Sequence, residues 1–152
     1  MFQKFFTSLY EAILGSATPA SLIPTYRQGV FPSVGLFTAF VAGLGLALLF
    51  YLVLNRLLVT SFFKTKHWLL VMGLAAVASS VFAYTQAKSV VFQAMSEQDL
   101  ILSSLDQAAY NRYGWGFVFV NALVGAFFFV LWSFAIKWAS VSARTTPVRW
   151  LS

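Results

Sequence analysis

Three long apolar runs constrain this chain more than any other feature of it. They extend from about Gly35 to Leu58, from Trp68 to Ala87 and from Trp115 to Ala139, and none carries a charged residue near its middle. A bilayer hydrocarbon core about 30 Å thick takes about 20 helical residues to cross, so each run predicts a transmembrane helix. Composition points the same way. Of the 152 residues, 60% are hydrophobic and only 9% are charged, against roughly 45–50% and about 25% in a soluble domain. A soluble chain of this size would lack the polar residues to cover its own core. The expected fold class is therefore an all-α integral membrane protein with three transmembrane helices over residues 35–58, 68–87 and 115–139. No internal repeat or linker divides the chain, so residues 1–152 read as one membrane domain.

The ends of the runs carry the residues that anchor spans at a membrane surface. Arg56 and Lys137 close the first and third, where long side chains reach head groups. Trp68, Tyr84, Trp115, Trp132 and Trp138 fall where an interfacial aromatic belt belongs. Lys64, Lys66 and His67 join Trp68 at one boundary. As the lone histidine, beside a tryptophan and among lysines, His67 reads as a solvated anchor rather than an axial ligand or proton carrier.

The segment before Pro32 has a different pattern. Phe2, Phe5, Phe6, Leu9, Ile13 and Leu14 share one helical face, and Gln3, Lys4, Thr7, Ser8 and Glu11 share the other. Residues 1–15 thus predict an amphipathic helix in the membrane interface. Gly15, Pro19 and Pro24 predict its end and an irregular path to the first span. A fourth span over residues 2–24 is the competing reading. Lys4 and Glu11 oppose it, each costing about 2.5–3.5 kcal/mol at the centre of an inserted helix. Glu11 equally interrupts the apolar core that a cleaved signal peptide requires.

Between the second and third spans lies a connection over residues 88–114. Ser96 followed by Asp99 resembles a capping box, and Leu100, Ile101, Leu105 and Ala108 share a face, which predicts a short helix there. The tail after Ser140, with Pro147, is expected to be extended.

Basic residues predict orientation. The short connection between the first two spans and the C-terminal tail share one side, which carries Arg56, Lys64, Lys66, Lys137, Arg144 and Arg149; Lys4, Arg27, Lys88 and Arg112 lie on the other. The positive-inside rule places the first side in the cytoplasm and the N-terminus outside. The expected location is a bacterial inner membrane. The net charge of +6 is thereby explained by topology. Because the basic residues are scattered and form no helix face or stacking platform, no nucleic-acid partner is expected.

Little in the chain supports chemistry. There is no cysteine, one histidine and four acidic residues, so neither a metal site nor a cofactor is expected. No phosphate-binding loop, nucleophile elbow or zinc-protease motif occurs. The spans lack the buried ionisable groups of proton relays, intramembrane hydrolases and proton-coupled transporters. Glu97 and Asp99, two residues apart, diverge on a helix and read as acids near a helix N-terminus. The expectation is a non-enzymatic protein.

What the spans do carry is small and uncharged. Gly35, Ala39, Gly43 and Ala47 recur every four residues and would leave a groove along the first helix. Ala75 with Ser79 and Ala76 with Ser80 form similar seams on the second, and Asn121 with Gly125 on the third. In lipid, where helices gain no hydrophobic drive to associate, such residues let backbones approach. Asn121, Thr85 and Ser133 are candidates for pore lining or for interhelical hydrogen bonds. Asn121 lies two turns into its span, where an amide facing lipid would be unsatisfied. A consecutive Phe127, Phe128 and Phe129 must point in several directions, with packing preferred to gating. Seams in every span, with the bilayer and either identical or unlike membrane chains as partners, suggest two functions. One is a homo-oligomeric channel or pore; the other is an accessory or scaffold subunit of a larger membrane complex.

Overall fold

A computed structural model describes residues 2–54, 65–97 and 104–137. Four helices make up this part of the chain, and no strand occurs among the described residues. We label them α1 (Phe2–Leu14), α2 (Ala20–Val53), α3 (Thr65–Glu97) and α4 (Ser104–Lys137). The last three are each long and apolar enough to cross a membrane.

All three long helices exceed the expected spans. α3 and α4 run on through the polar residues that flank their apolar cores, because Gln, Lys, Glu and Ala are good helix formers whether or not lipid surrounds them. Of the short separate helix expected within residues 88–114, the described residues belong to the two long helices. Ser96 lies within α3 instead of capping a new helix, and Leu105 and Ala108 belong to α4; Asp99, Leu100 and Ile101 lie outside the described residues. The ends of the first and third expected spans, residues 55–58 and 138–139, lie outside them too.

The path from α1 to the first span is also more regular than expected. Gly15 ends α1 with φ of 76°, and its N–H donates to the Glu11 carbonyl over 2.9 Å. That left-handed conformation is readily open to glycine. Only a short turn separates this cap from α2, which begins at Ala20 and passes through both Pro24 and Pro32. A 3-10 turn at Ala20–Leu22 precedes Pro24 and a π-helical turn at Tyr26–Val30 precedes Pro32, and the helix widens again at Phe37–Gly45 and Leu49–Leu54. A proline removes one donor from the ladder and crowds the preceding turn, and neighbouring hydroxyls can serve the freed carbonyls. Arg27 O, five residues before Pro32, has Thr7 Oγ1 of α1 at 3.4 Å, and Ser33 Oγ lies 2.7 Å from Gly29 O and 3.1 Å from Val30 O.

The wide turns also straighten the small-residue stripe. At 3.6 residues per turn, positions four apart drift round a helix by about 40° each step; wider turns reverse the drift. Gly35, Ala39, Gly43 and Ala47 are all buried in consequence.

The helices form a bundle in which α1 folds back along α2. The Phe2 and Phe40 rings are 6.1 Å apart, Tyr10 stacks on Phe31 at 5.3 Å, and Glu11 pairs with Arg27. α3 and α4 run antiparallel, with Trp68 beside Phe129 at one end and Tyr84 beside Trp115 at the other. α2 runs parallel to α4, from Tyr26 against Tyr113 to Gly43 against Phe128. Phe37 stacks on Phe82 of α3 at 3.9 Å. One core cluster centres on Tyr10, Tyr26, Phe31 and Phe117, and a second on Ala47, Phe50, Ala75 and Phe129.

The outside is as apolar as the inside. Leu70, Leu74, Val77 and Val81 form an exposed row on α3, and Trp115, Phe119, Leu123 and Phe127 another on α4. A helix that is apolar all round belongs in a bilayer or deep in a large core. On α2, α3 and α4 the described charged residues sit at the two ends of this apolar belt. Lys66 and His67 mark one end, and Lys88, Arg112 and Arg27 the other. Lys66 and Lys88 are separated by about 33 Å of α3, close to the thickness of a hydrocarbon core.

Candidate functional site: a buried amide node and the outer face of α1

Asn121 is fully buried, and its amide draws all four helices together. Its Oδ1 accepts from the Tyr10 hydroxyl of α1 at 2.5 Å. Its Nδ2 donates to the Ser79 carbonyl of α3 at 2.6 Å and to Thr38 Oγ1 of α2 at 3.1 Å. Both amide hydrogens and the carbonyl oxygen are therefore used inside one chain. With no exposed surface, Asn121 lines no opening of the single chain.

Tyr10 and Thr38 were not among the residues singled out from the sequence. Tyr10 follows Phe6 by four positions and lies on the face of α1 turned to the bundle, and Thr38 precedes Ala39 in the groove. A hydroxyl at each place was the only available sign.

The groove is filled by the chain itself. A side chain at Gly35 would overlap the Phe6 ring of α1. At Gly43 an added Cβ would lie 2.9 Å from Phe128 Cβ of α4. Ala47 packs into the core cluster with Ala75 and Phe129. Gly125 meets Ser79 in the same way, and its added Cβ would come within 3.0 Å of the Ala75 carbonyl. Ser80 donates to Ala76 O at 2.9 Å, with Val118 O of α4 at 3.4 Å. Ala76 itself is half-buried.

The remaining candidates separate by position. Ser133 is buried and accepts from Trp68 Nε1 at 3.3 Å, which ties α4 to α3. Thr85 is exposed and donates to Phe82 O of its own helix. Lys66 and His67 are exposed at one end of α3. Arg56, Lys64 and Trp138 lie outside the described residues, and Lys137 ends α4. Among the described residues, no three His, Asp or Glu side chains gather as metal ligands.

One polar surface stands out against the apolar belt. Lys4, Thr7, Ser8 and Glu11 follow the i, i+3, i+4, i+7 spacing of a single helix stripe; Lys4 and Ser8 lie on the outer side of α1, and Thr7 and Glu11, half-buried, lie on the flank that meets Arg27 of α2. Lys4 and Ser8 are exposed. Thr7 donates to the Gln3 carbonyl at 2.9 Å. Glu11 is paired with Arg27 of α2, whereas Lys4 has no charged partner among the described residues. Because α1 folds back along α2, Lys4 lies about 10 Å further from the charged end of the bundle than Glu11. Its neighbour Phe2 is level with Phe40, just past the midpoint of α2.

Comparison of the chain with protein-family models, curated proteins and solved structures finds no match.

Proposed function

We propose that this is a non-enzymatic integral membrane protein whose copies assemble around the polar face of α1 to form a channel or pore. The observation that carries this reading is the pair Lys4 and Ser8, exposed on the outer side of α1 and reaching the middle of an otherwise apolar bundle, with Glu11 half-buried against Arg27 of α2. With α2, α3 and α4 across a bilayer, α1 enters from the end marked by Arg27 and stops near mid-depth. Ionisable side chains at that depth face a water-filled cavity or another protein, not lipid. Identical chains satisfy such a face most simply by closing a symmetric ring in which each α1 turns toward a shared axis. The positive-inside rule directs the Lys66 and His67 end to the cytoplasm, so α1 would enter from the opposite side of a bacterial inner membrane.

The small-residue seams do not support self-assembly, because α1 and α4 already occupy them. The polar face takes over that part of the argument. It also allows the second reading, an accessory subunit of a larger membrane complex, in which an acidic group of an unlike helix would pair with Lys4.

The test is the mass of the purified chain in detergent or nanodiscs, followed by ion flux from liposomes. A discrete ring that conducts, and loses conduction in Lys4→Leu/Ser8→Leu, supports the channel. A monomer without flux, recovered with an unlike membrane protein that Lys4→Leu releases, supports the accessory subunit and overturns the channel.

A further inference from the structure

Resting on that reading, we infer that the path selects small inorganic anions over cations and that Lys4 sets the preference. The argument is a charge count along one face. Glu11 is the acidic member of the stripe, and its carboxylate is held by the Arg27 guanidinium. The pair cancels within the stripe. Its exposed partner is the cation: the Arg27 side chain is 49% exposed and that of Glu11 24%. An ion approaching the mouth therefore meets a guanidinium before a carboxylate.

Further in, Ser8 and Thr7 add hydroxyls and no charge. Thr7 turns its hydroxyl back to the Gln3 carbonyl. Lys4 comes next, exposed and without an acid among the described residues to neutralise it. It stands near mid-depth, where the surrounding dielectric is lowest and an unpaired charge acts most strongly on a passing ion. A ring of identical chains repeats the residue once per subunit. A circle of ammonium groups, the arrangement found where pores select anions and phosphate, follows directly. Phe2 and Phe5, exposed beside this stripe on the same helix, would turn toward lipid or the adjoining subunit and confine water to the polar side.

The inference separates cleanly from the pore itself when reversal potentials are measured. The full-length chain is reconstituted in a planar bilayer of uncharged phosphatidylcholine under a tenfold KCl gradient. Wild type is expected to reverse on the chloride side of zero. Lys4→Arg should keep that sign, Lys4→Gln should move the potential toward zero, and Lys4→Glu should carry it to the potassium side. Glu11→Gln, which releases Arg27, should strengthen the chloride preference. The oligomeric mass of each variant is checked before reconstitution. Absence of current in wild type overturns the pore and this inference with it. Current that prefers potassium, or whose selectivity ignores Lys4→Glu in an intact assembly, overturns the role of Lys4 and leaves the pore standing.

Discussion

The Tyr10 hydroxyl reaches Asn121 Oδ1 across 111 residues of sequence, at 2.5 Å and out of contact with solvent. This bond fastens α1 to the bundle while Thr38 and Ser79 hold the same amide from the other two helices. Removing Asn121 takes the acceptor from the buried Tyr10 hydroxyl, a cost of about 1–3 kcal/mol, whereas removing the Tyr10 hydroxyl leaves Asn121 Oδ1 with Thr38 Oγ1 at 3.3 Å. Tyr10→Phe and Asn121→Leu should each lower the unfolding midpoint in detergent. In a double-mutant cycle their effects should fall short of additivity by about 0.6–2 kcal/mol, the range for hydrogen bonds between membrane helices. Strict additivity would show that the bond carries no stability.

Tyr26 offers the opposite case. It is fully buried among Phe31, Tyr113 and Phe117, yet its hydroxyl has no hydrogen-bond partner among the described residues. Burying an unsatisfied hydroxyl costs free energy that phenylalanine avoids at nearly the same shape. Tyr26→Phe should therefore keep or raise the unfolding midpoint, in contrast to Tyr10→Phe. A clear loss of stability would mean that the hydroxyl has a partner in the membrane.

The glycines divide by what they touch. Gly43→Leu and Gly35→Leu drive side chains into Phe128 and Phe6, and overpacking of this kind costs typically 1–3 kcal/mol. Gly73 has nothing within 4 Å of an added Cβ, so Gly73→Leu should be tolerated. Gly35→Leu should in addition speed amide hydrogen exchange across residues 2–14, because it dislodges α1. None of the three should alter the subunit number, since the groove is filled from within. A changed oligomeric mass in Gly43→Leu would show instead that the groove faces another copy.

How much of this was legible beforehand depends on whether a property is local. The three apolar spans could be read because transfer of side chains into lipid is summed along each segment and needs no knowledge of its neighbours. Their lengths could not. Helical hydrogen bonds continue through residues 88–97 and 104–114, where apolarity has already ended, and α2 continues through both Pro24 and Pro32. The spacing of Gly35, Ala39, Gly43 and Ala47 likewise announced a close approach of backbones without identifying what would approach.

By itself, then, the sequence determined a helical chain with three segments long and apolar enough to cross a bilayer, a small-residue groove, and an α1 with one polar and one apolar face. Tertiary structure alone decided that Phe6 and Phe128 fill the groove, that Tyr10 and Thr38 meet Asn121, and that Lys4 is left facing outward. The reason is physical. Partitioning is additive and short-ranged along the chain, whereas filling a groove or satisfying a buried amide requires groups 83 and 111 residues apart to converge within hydrogen-bond distance. Only the packed bundle brings them there.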